Sequence, residues 1–174
     1  MDFLGQRMPY VTAFSKALGT GMMISVDSPI DDKVRSAMES LIEDYEHVLS
    51  RFRNDSLIAA IGKAEHGGSF DFPDWCAPLF DLYDALFSAT SGAIDPCVGE
   101  DLIRLGYDAS LSFTVTQDAP EHLGALRGRA VWGRDVTRHG TTLVTHEPVQ
   151  LDFGAAAKAI SSICSGACCS RHNS

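Results

Sequence analysis

The sequence predicts an α+β fold (mixed α/β), and three observations carry that expectation. Val34, Met38, Leu41, Ile42, Tyr45, Val48 and Leu49 recur at three- and four-residue intervals, the spacing of one helix face. Met22, Ile24 and Val26 alternate with other residues, the period of a half-buried strand. Segments of the two kinds then follow one another without the strict strand–helix alternation of an all-parallel sheet.

Taken in order, residues 18–27 read as a strand that opens with Gly19, Thr20 and Gly21, and Ser28-Pro29 turns the chain. Asp31 and Asp32 stand in the first turn of the helix that follows, where the helix dipole favours acids. Residues 51–56 form a polar joint, from which Asn54 or Asp55 caps a short helix running through Ala60 to Gly62. Past Gly67 and Gly68, Phe70 and Phe72 alternate as a short strand. Pro73-Asp74 opens a helix with Trp75, Leu79, Leu82, Tyr83, Leu86 and Phe87 on one side, and Thr90-Ser91-Gly92 closes it.

Pro96 biases Asp95 away from helical geometry, so an acid is held at a rigid corner. A brief helix over residues 98–105 then ends at Gly106. A short helix over residues 120–126, a strand near residues 129–132, and a hairpin around His139-Gly140, flanked by Val136 and Leu143-Val144, bring the chain to a strand at residues 149–153. That strand turns through small residues into a helix over residues 155–160.

With 174 residues and 45% hydrophobic content, the chain has ample material for one core. The expected organisation is a domain over residues 1–160 and an atypical Ser/Cys-rich tail over residues 161–174, where the apolar periodicity stops. A net charge of −9 with 14 scattered basic residues excludes a nucleic-acid or anionic-membrane surface, which needs a dense Lys/Arg face. A small ligand or another protein is the expected partner. The N-terminus shows no export signal, and no apolar window reaches membrane-spanning length, so no membrane insertion is expected. Three of the five cysteines crowd the last residues, a poor disulfide framework, and the compartment reads as reducing cytoplasm. Cys164, Cys168, Cys169 and His172 offer enough ligands for zinc on paper, yet adjacent cysteines in a Ser-rich tail read as incidental.

The best functional clue is residues 151–159, Leu-Asp-Phe-Gly-Ala-Ala-Ala-Lys-Ala. The strand end carries Asp152, and the helix start carries small residues and then Lys158, so a phosphate could approach the backbone N–H groups and the positive dipole end closely. On residues alone, Asp152 either caps the last helix or works on a metal or phosphate. Lys158 is either solvated or a ligand contact. Phe52 is either a core aromatic or a stacking wall, and Asp95 either braces its own turn or meets a ligand. Thr20, Arg51 and Arg53 are second-tier candidates.

Four segments appear in order: Leu18-Gly19-Thr20, Ser50-Arg51-Phe52-Arg53-Asn54-Asp55-Ser56, Ser91-Gly92-Ala93-Ile94-Asp95-Pro96-Cys97-Val98-Gly99, and Leu151-Asp152-Phe153-Gly154-Ala155-Ala156-Ala157-Lys158, with Leu105-Gly106-Tyr107 after the third. Together they resemble the FAD:protein FMN transferase (ApbE) family. The resemblance implies a Mg2+-dependent transferase that takes FAD as substrate, releases AMP, and attaches FMN to a Ser or Thr hydroxyl of a target protein. It implies cofactor-binding roles for Thr20, Phe52, Arg53, Ser56, Ala93, Ile94, Asp95 and Lys158, and catalytic roles for Asp152 and Lys158. The Ala155 carbonyl is implied as a metal contact. Ala159 departs from the family pattern, which usually has Gly there. Family members continue into a Gly-Gly-Asp/Asn strand, a His-x-x-Asp-Pro segment and a late Asp/Thr cluster, none of which occurs here. The chain therefore reads as the N-terminal portion of a truncated enzyme, with activity expected to be impaired or reduced to flavin binding.

Overall fold

The alternation at Met22, Ile24 and Val26 produces a strand, β2 (Thr20–Val26), whose residues are alternately exposed and half-buried. A computed structural model describes residues 8–17 and 20–156 of the chain. The described part divides into two compact units, one ending at residue 46 and one formed by residues 47–156.

In the first unit β2 pairs antiparallel with β1 (Tyr10–Ala17), with a register irregularity between Phe14 and Ala17. β1 escapes sequence reading because its pattern is blurred. Phe14 is buried, whereas Tyr10 and Val11 are exposed and Thr12 takes a half-buried position. The long helix α1 (Asp32–Leu49) forms where its heptad-like spacing predicts. Asp31 caps it, its carboxylate accepting the Val34 N–H at 2.7 Å. Phe14, Ala17 and Met38 form the buried centre of this unit, with Met22, Ile24, Ile30, Val34 and Ile42 packed around it. Arg35 ties α1 to β1, donating to Thr12 Oγ1 at 2.6 Å and lying 5.1 Å from the Phe14 ring centroid.

The second unit contains α2 (Leu57–Lys63), β3 (Gly68–Asp71), α3 (Ala77–Ala89), α4 (Gly99–Arg104), α5 (Ala119–His122), β4 (Val136–His139) and β5 (Thr142–Thr145). Its antiparallel sheet has the order β3-β5-β4, with β5 in the centre because the β4–β5 hairpin leaves one β5 edge free for β3. The hairpin turns at Gly140, whose φ of 63° is the left-handed geometry glycine tolerates. A 3₁₀ turn (Asp74–Cys76) precedes α3, and another (Pro96–Val98) precedes α4.

Four sequence expectations change here. On α3 the buried stripe is Leu79, Phe80 and Tyr83, while Leu82 is exposed. Residues 129–132 make only an isolated bridge, Trp132 to Val136, because Asp135 accepts the Val131 N–H at 2.7 Å and bends the chain into a turn. The helix expected at residues 120–126 splits into α5 and a 3₁₀ turn (Ala125–Arg127), since Leu123 is extended and Gly124 has a φ of 86°. Residues 149–153 join no ladder among the described residues, although Val149, Leu151 and Phe153 are buried as a strand's inner face would be.

Phe153 is the hub of this core. Its ring centroid lies 5.3 Å from Tyr83, 5.5 Å from Phe80 and 6.1 Å from Trp132, and Phe72 stands edge-on to Phe80 at 5.1 Å. Such edge-on and tilted contacts add to the area that each ring buries.

Two outcomes follow from this packing. Phe153→Ala is expected to cost about 3–5 kcal/mol of stability, the usual range for an aromatic truncated in a core, measured as a lower denaturant midpoint. Alkaline pH is expected to destabilise the fold. Burial pushes the Cys76 thiol from 9.0 up to about 12. Burial, then the Asp152 charge, pushes the Tyr83 phenol from 10.0 up to about 12. Between pH 9 and 12 the unfolded chain loses these protons while the folded chain keeps them, so stability falls as pH rises. Unfolding midpoints at pH 8 and pH 10.5 check the sign, and Cys76→Ala should flatten the decline.

Candidate functional site

Three of the four sequence segments singled out above lie in the second unit, and they meet around residues 150–154. The polar joint after α1 has a local cause. Ser56, extended at φ −80° and ψ 158°, caps α2 in place of the expected Asn54 or Asp55, its oxygen accepting the Ala59 N–H at 3.1 Å. The same hydroxyl donates to the Ser50 carbonyl at 2.6 Å, so Ser56 closes the joint upon itself. Asp55 is engaged elsewhere. Arg53 donates to both of its oxygens at 2.9 Å, holding that carboxyl down at about 2, and reaches His47 Nε2 at 3.1 Å.

Arg51 lies inside rather than in solvent, its side chain 8% exposed. Its Nε donates to Asp152 Oδ2 at 2.5 Å. Its guanidinium carbon sits 4.3 Å from the Phe52 ring centroid and 4.5 Å from that of Tyr107. Phe52 and Tyr107 are edge-on at 5.3 Å, and Tyr107 continues to Phe113 at 6.3 Å. Phe52 is thus half-buried, with a cation over its face.

The Asp-Pro corner is braced as the turn reading proposed. Asp95 is extended at φ −137° and ψ 120°, and its Oδ1 accepts the Cys97 N–H at 2.9 Å and the Trp132 N–H at 3.3 Å. Its Oδ2 accepts from Arg129 Nη1 at 3.2 Å. Arg129, 8% exposed in its side chain, also stands 3.0 Å from Asp101 through Nε. Burial, then the Asp95 charge, pushes the Cys97 thiol well above the usual thiol range. Sequence reading passed over Arg129, since nothing local marks an arginine whose partners lie 34 and 28 residues upstream. Ala93 and Ile94 are exposed on the approach to the corner, where the Ile94 N–H donates to Thr90 Oγ1 at 3.0 Å.

The corner and the junction are joined directly. The Asp152 N–H donates to the Pro96 carbonyl at 2.7 Å. A Cβ on Gly99 would fall 2.5 Å from the Gln150 carbonyl oxygen, so glycine is required for the two backbones to approach. On the opposite side the Gln150 amide donates to the Gly62 carbonyl at 3.0 Å. Asp152 itself caps the turn into the last helix, Oδ1 accepting the Gly154 N–H at 2.7 Å, and residues 154–156 are the first helical ones. Ala155 is exposed there. Thr20 opens β2, and its side chain lies outside the described residues, as do Lys158 and the tail residues Cys164, Cys168, Cys169 and His172.

The fit to a divalent metal is partial. Mg2+ takes an octahedral shell of oxygens, and no group of three His, Cys, Asp or Glu side chains suited to a metal occurs among the described residues. The Asp152 and Asp95 oxygens are engaged by arginines and backbone N–H groups. The described residues do not make a metal shell by themselves, and no step is routed through one.

A mixed helix–sheet chain whose polar joint, Asp-Pro corner and strand-to-helix turn converge in this way matches the model of the ApbE family over residues 18–163, and the chain belongs to that family. Its fold is similar to that of flavin transferase ApbE from Vibrio cholerae, with a TM-score of 0.73 at 20% identity over 90% of this chain and 52% of that one. It is similar as well to the apo form of the flavinyl transferase ApbE of Pseudomonas stutzeri, with a TM-score of 0.66 at 18% identity over 91% of this chain and 55% of that one. The apbe protein from Thermotoga maritima gives a TM-score of 0.68 at 19% identity over 91% and 52%. The chain therefore spans about half the length of these structures. No curated protein matches it. No helix among the described residues is long and apolar enough to cross a membrane.

Gly99→Ala tests the corner–junction contact. Backbone atoms line the space a methyl would need, so the substitution is expected to destabilise by about 1–3 kcal/mol, the usual cost of overpacking. A chemical-denaturation midpoint equal to that of the unmodified chain would show that the two backbones are not held so closely.

Proposed function

We propose that this chain supplies one side of a site for FMN transfer. In that reaction a Ser or Thr hydroxyl of a target protein attacks the FMN phosphorus of FAD, a new phosphoester forms, the pyrophosphate bond breaks, and AMP leaves. The observation that carries the reading is the convergence, within one unit of an ApbE-family chain, of the Arg51–Ser56 joint, the Asp95–Gly99 corner and the Asp152–Ala155 turn. At the start of the last helix the Gly154 and Ala156 N–H groups are taken by Asp152 Oδ1 and the Phe153 carbonyl, and in this reading the Ala155 N–H and the positive dipole end face the phosphate. Phe52, backed by Arg51 and Tyr107, offers the flat ring a flavin stacks upon, and exposed Ala93 and Ile94 precede the Asp95 corner in the chain.

Among the implied contacts, Arg53, Ser56 and Asp95 act in this reading by shaping the loops, because their polar atoms are engaged within the chain. Asp152 sets the geometry of the turn, and for Thr20 and Lys158 the family resemblance alone supports a cofactor-binding role. Mg2+, where bound, would neutralise the pyrophosphate, and the contribution proposed for this chain is the Ala155 carbonyl. The cytoplasm is the proposed compartment.

The test is incubation of the whole chain with FAD, Mg2+ and a Ser/Thr-containing target peptide, followed by quantification of AMP and of peptide mass. AMP release with a mass gain equal to one FMN residue is the expected outcome for a competent transferase. Saturable FAD binding without AMP marks a flavin-binding portion that needs further residues for turnover. Failure to bind FAD at all overturns the reading.

A further inference from the structure

We propose that Arg51 is a positioning residue that couples the Phe52 ring to the Asp152 turn, so that the ring wall and the start of the last helix move as one piece. The inference takes its ligand from the flavin reading above; its structural claim stands without it.

Three observations converge on this side chain. First, the Arg51 side chain is about nine-tenths buried yet carries a full charge, and such a group persists only where partners compensate its lost hydration. Among the described residues its carboxylate partner is Asp152, at 2.5 Å through Nε. Second, two rings flank the guanidinium, Phe52 at 4.3 Å and Tyr107 at 4.5 Å, and these rings meet each other edge-on at 5.3 Å. A planar cation set in the angle of two rings holds against both, which an ammonium on a flexible stem would not do. Third, Asp152 is divided between two duties, Oδ2 toward Arg51 and Oδ1 toward the Gly154 N–H at 2.7 Å. Rotation of the carboxylate to follow Arg51 would therefore pull on the first peptide of the helix that presents Ala155.

The chain Phe52–Arg51–Asp152–Gly154 is thus continuous, with one atomic contact at each link. Among the described residues the buried Arg51 Nη2 has no hydrogen-bond partner, and the guanidinium is held by its two ring contacts and the ion pair to Asp152. Substitution of either should release it. Nothing in the local sequence marks this role, because Arg51 and Asp152 are 101 residues apart.

The test is a coupling cycle on the full chain with two readouts. The first is ligand-free: the Gly154 amide resonance in 15N-labelled protein carrying Phe52→Leu, Arg51→Lys or both. Phe52→Leu is expected to shift this resonance when Arg51 is present and to leave it unmoved in the Arg51→Lys background. Equal shifts in both backgrounds would overturn the coupling. The second readout is FAD affinity by quenching of flavin fluorescence. Arg51→Lys keeps a cation for Asp152 and is expected to retain the unfolding midpoint while weakening FAD about tenfold, on the scale of a lost stacking contact, with no further loss on adding Phe52→Leu. A purely structural arginine would lower the midpoint and leave the affinity of the folded protein unchanged, which would also overturn the proposal. Where the unsubstituted chain binds no FAD, the flavin reading fails and the amide cycle alone decides the role of Arg51. Should Arg51→Lys fail to fold, the double substitution Arg51→Met/Asp152→Asn removes both charges and carries the same cycle with the Ala155 amide as reporter.

Discussion

Burial of Phe153 is the constraint on which the second unit depends. Residues 149–153 have no neighbouring strand among the described residues, so the ladder hydrogen bonds that usually fix an extended segment do not hold it. Three inward side chains, Val149, Leu151 and Phe153, do so instead, with Phe153 surrounded by Phe80, Tyr83 and Trp132. Hydrophobic burial is non-directional, and direction comes from a few contacts at the segment's edges: the Asp152 N–H on the Pro96 carbonyl, the Gln150 amide on the Gly62 carbonyl, and the Gly99 backbone against Gln150. These contacts bring the corner, the end of α2 and the helix start to one place.

Electrostatics then fix the loops around that place. Arg51 and Arg129 are both buried, and each is set against a carboxylate in a segment distant in sequence, Asp152 for one and Asp95 and Asp101 for the other. A buried pair contributes little net stability beside an apolar substitute, but removing one partner strands a charge and is costly. The two arginines therefore tie together loops that are distant in sequence. A consequence is that Asp152 and Asp95 each already face an arginine within the chain.

Much of the fold is legible in the sequence where one local rule decides the outcome. The spacing from Val34 to Leu49 gives α1, Met22 to Val26 gives β2, and the Gly140 turn gives the hairpin. Pro96 sets Asp95 extended, and glycines end α3 and α4. Legibility fails where a distant partner overrides the local pattern. β1 carries exposed Val11 and half-buried Thr12, so its period is lost. Residues 129–132 look like a strand and become a turn because Asp135 captures the Val131 N–H. Ser56 takes the cap expected of Asn54 or Asp55 because Arg53 has engaged Asp55.

The candidate site divides in the same way. By itself the sequence determined which residue types stand at the Arg51–Ser56 joint, the Asp-Pro corner and the Asp152–Ala155 turn, and their order was enough to indicate the ApbE family. Those are short-range properties: a proline restricts its neighbour, a small residue permits close approach, and an acid caps a helix. Only the tertiary structure decided what each polar group does. Arg51 reads as a solvated charge until Phe52, Tyr107 and Asp152 close around it, and Arg129 is silent until Asp95 and Asp101 face it. The physical reason is that a charge's role depends on its burial and its partner, and both are fixed by contacts between residues tens of positions apart.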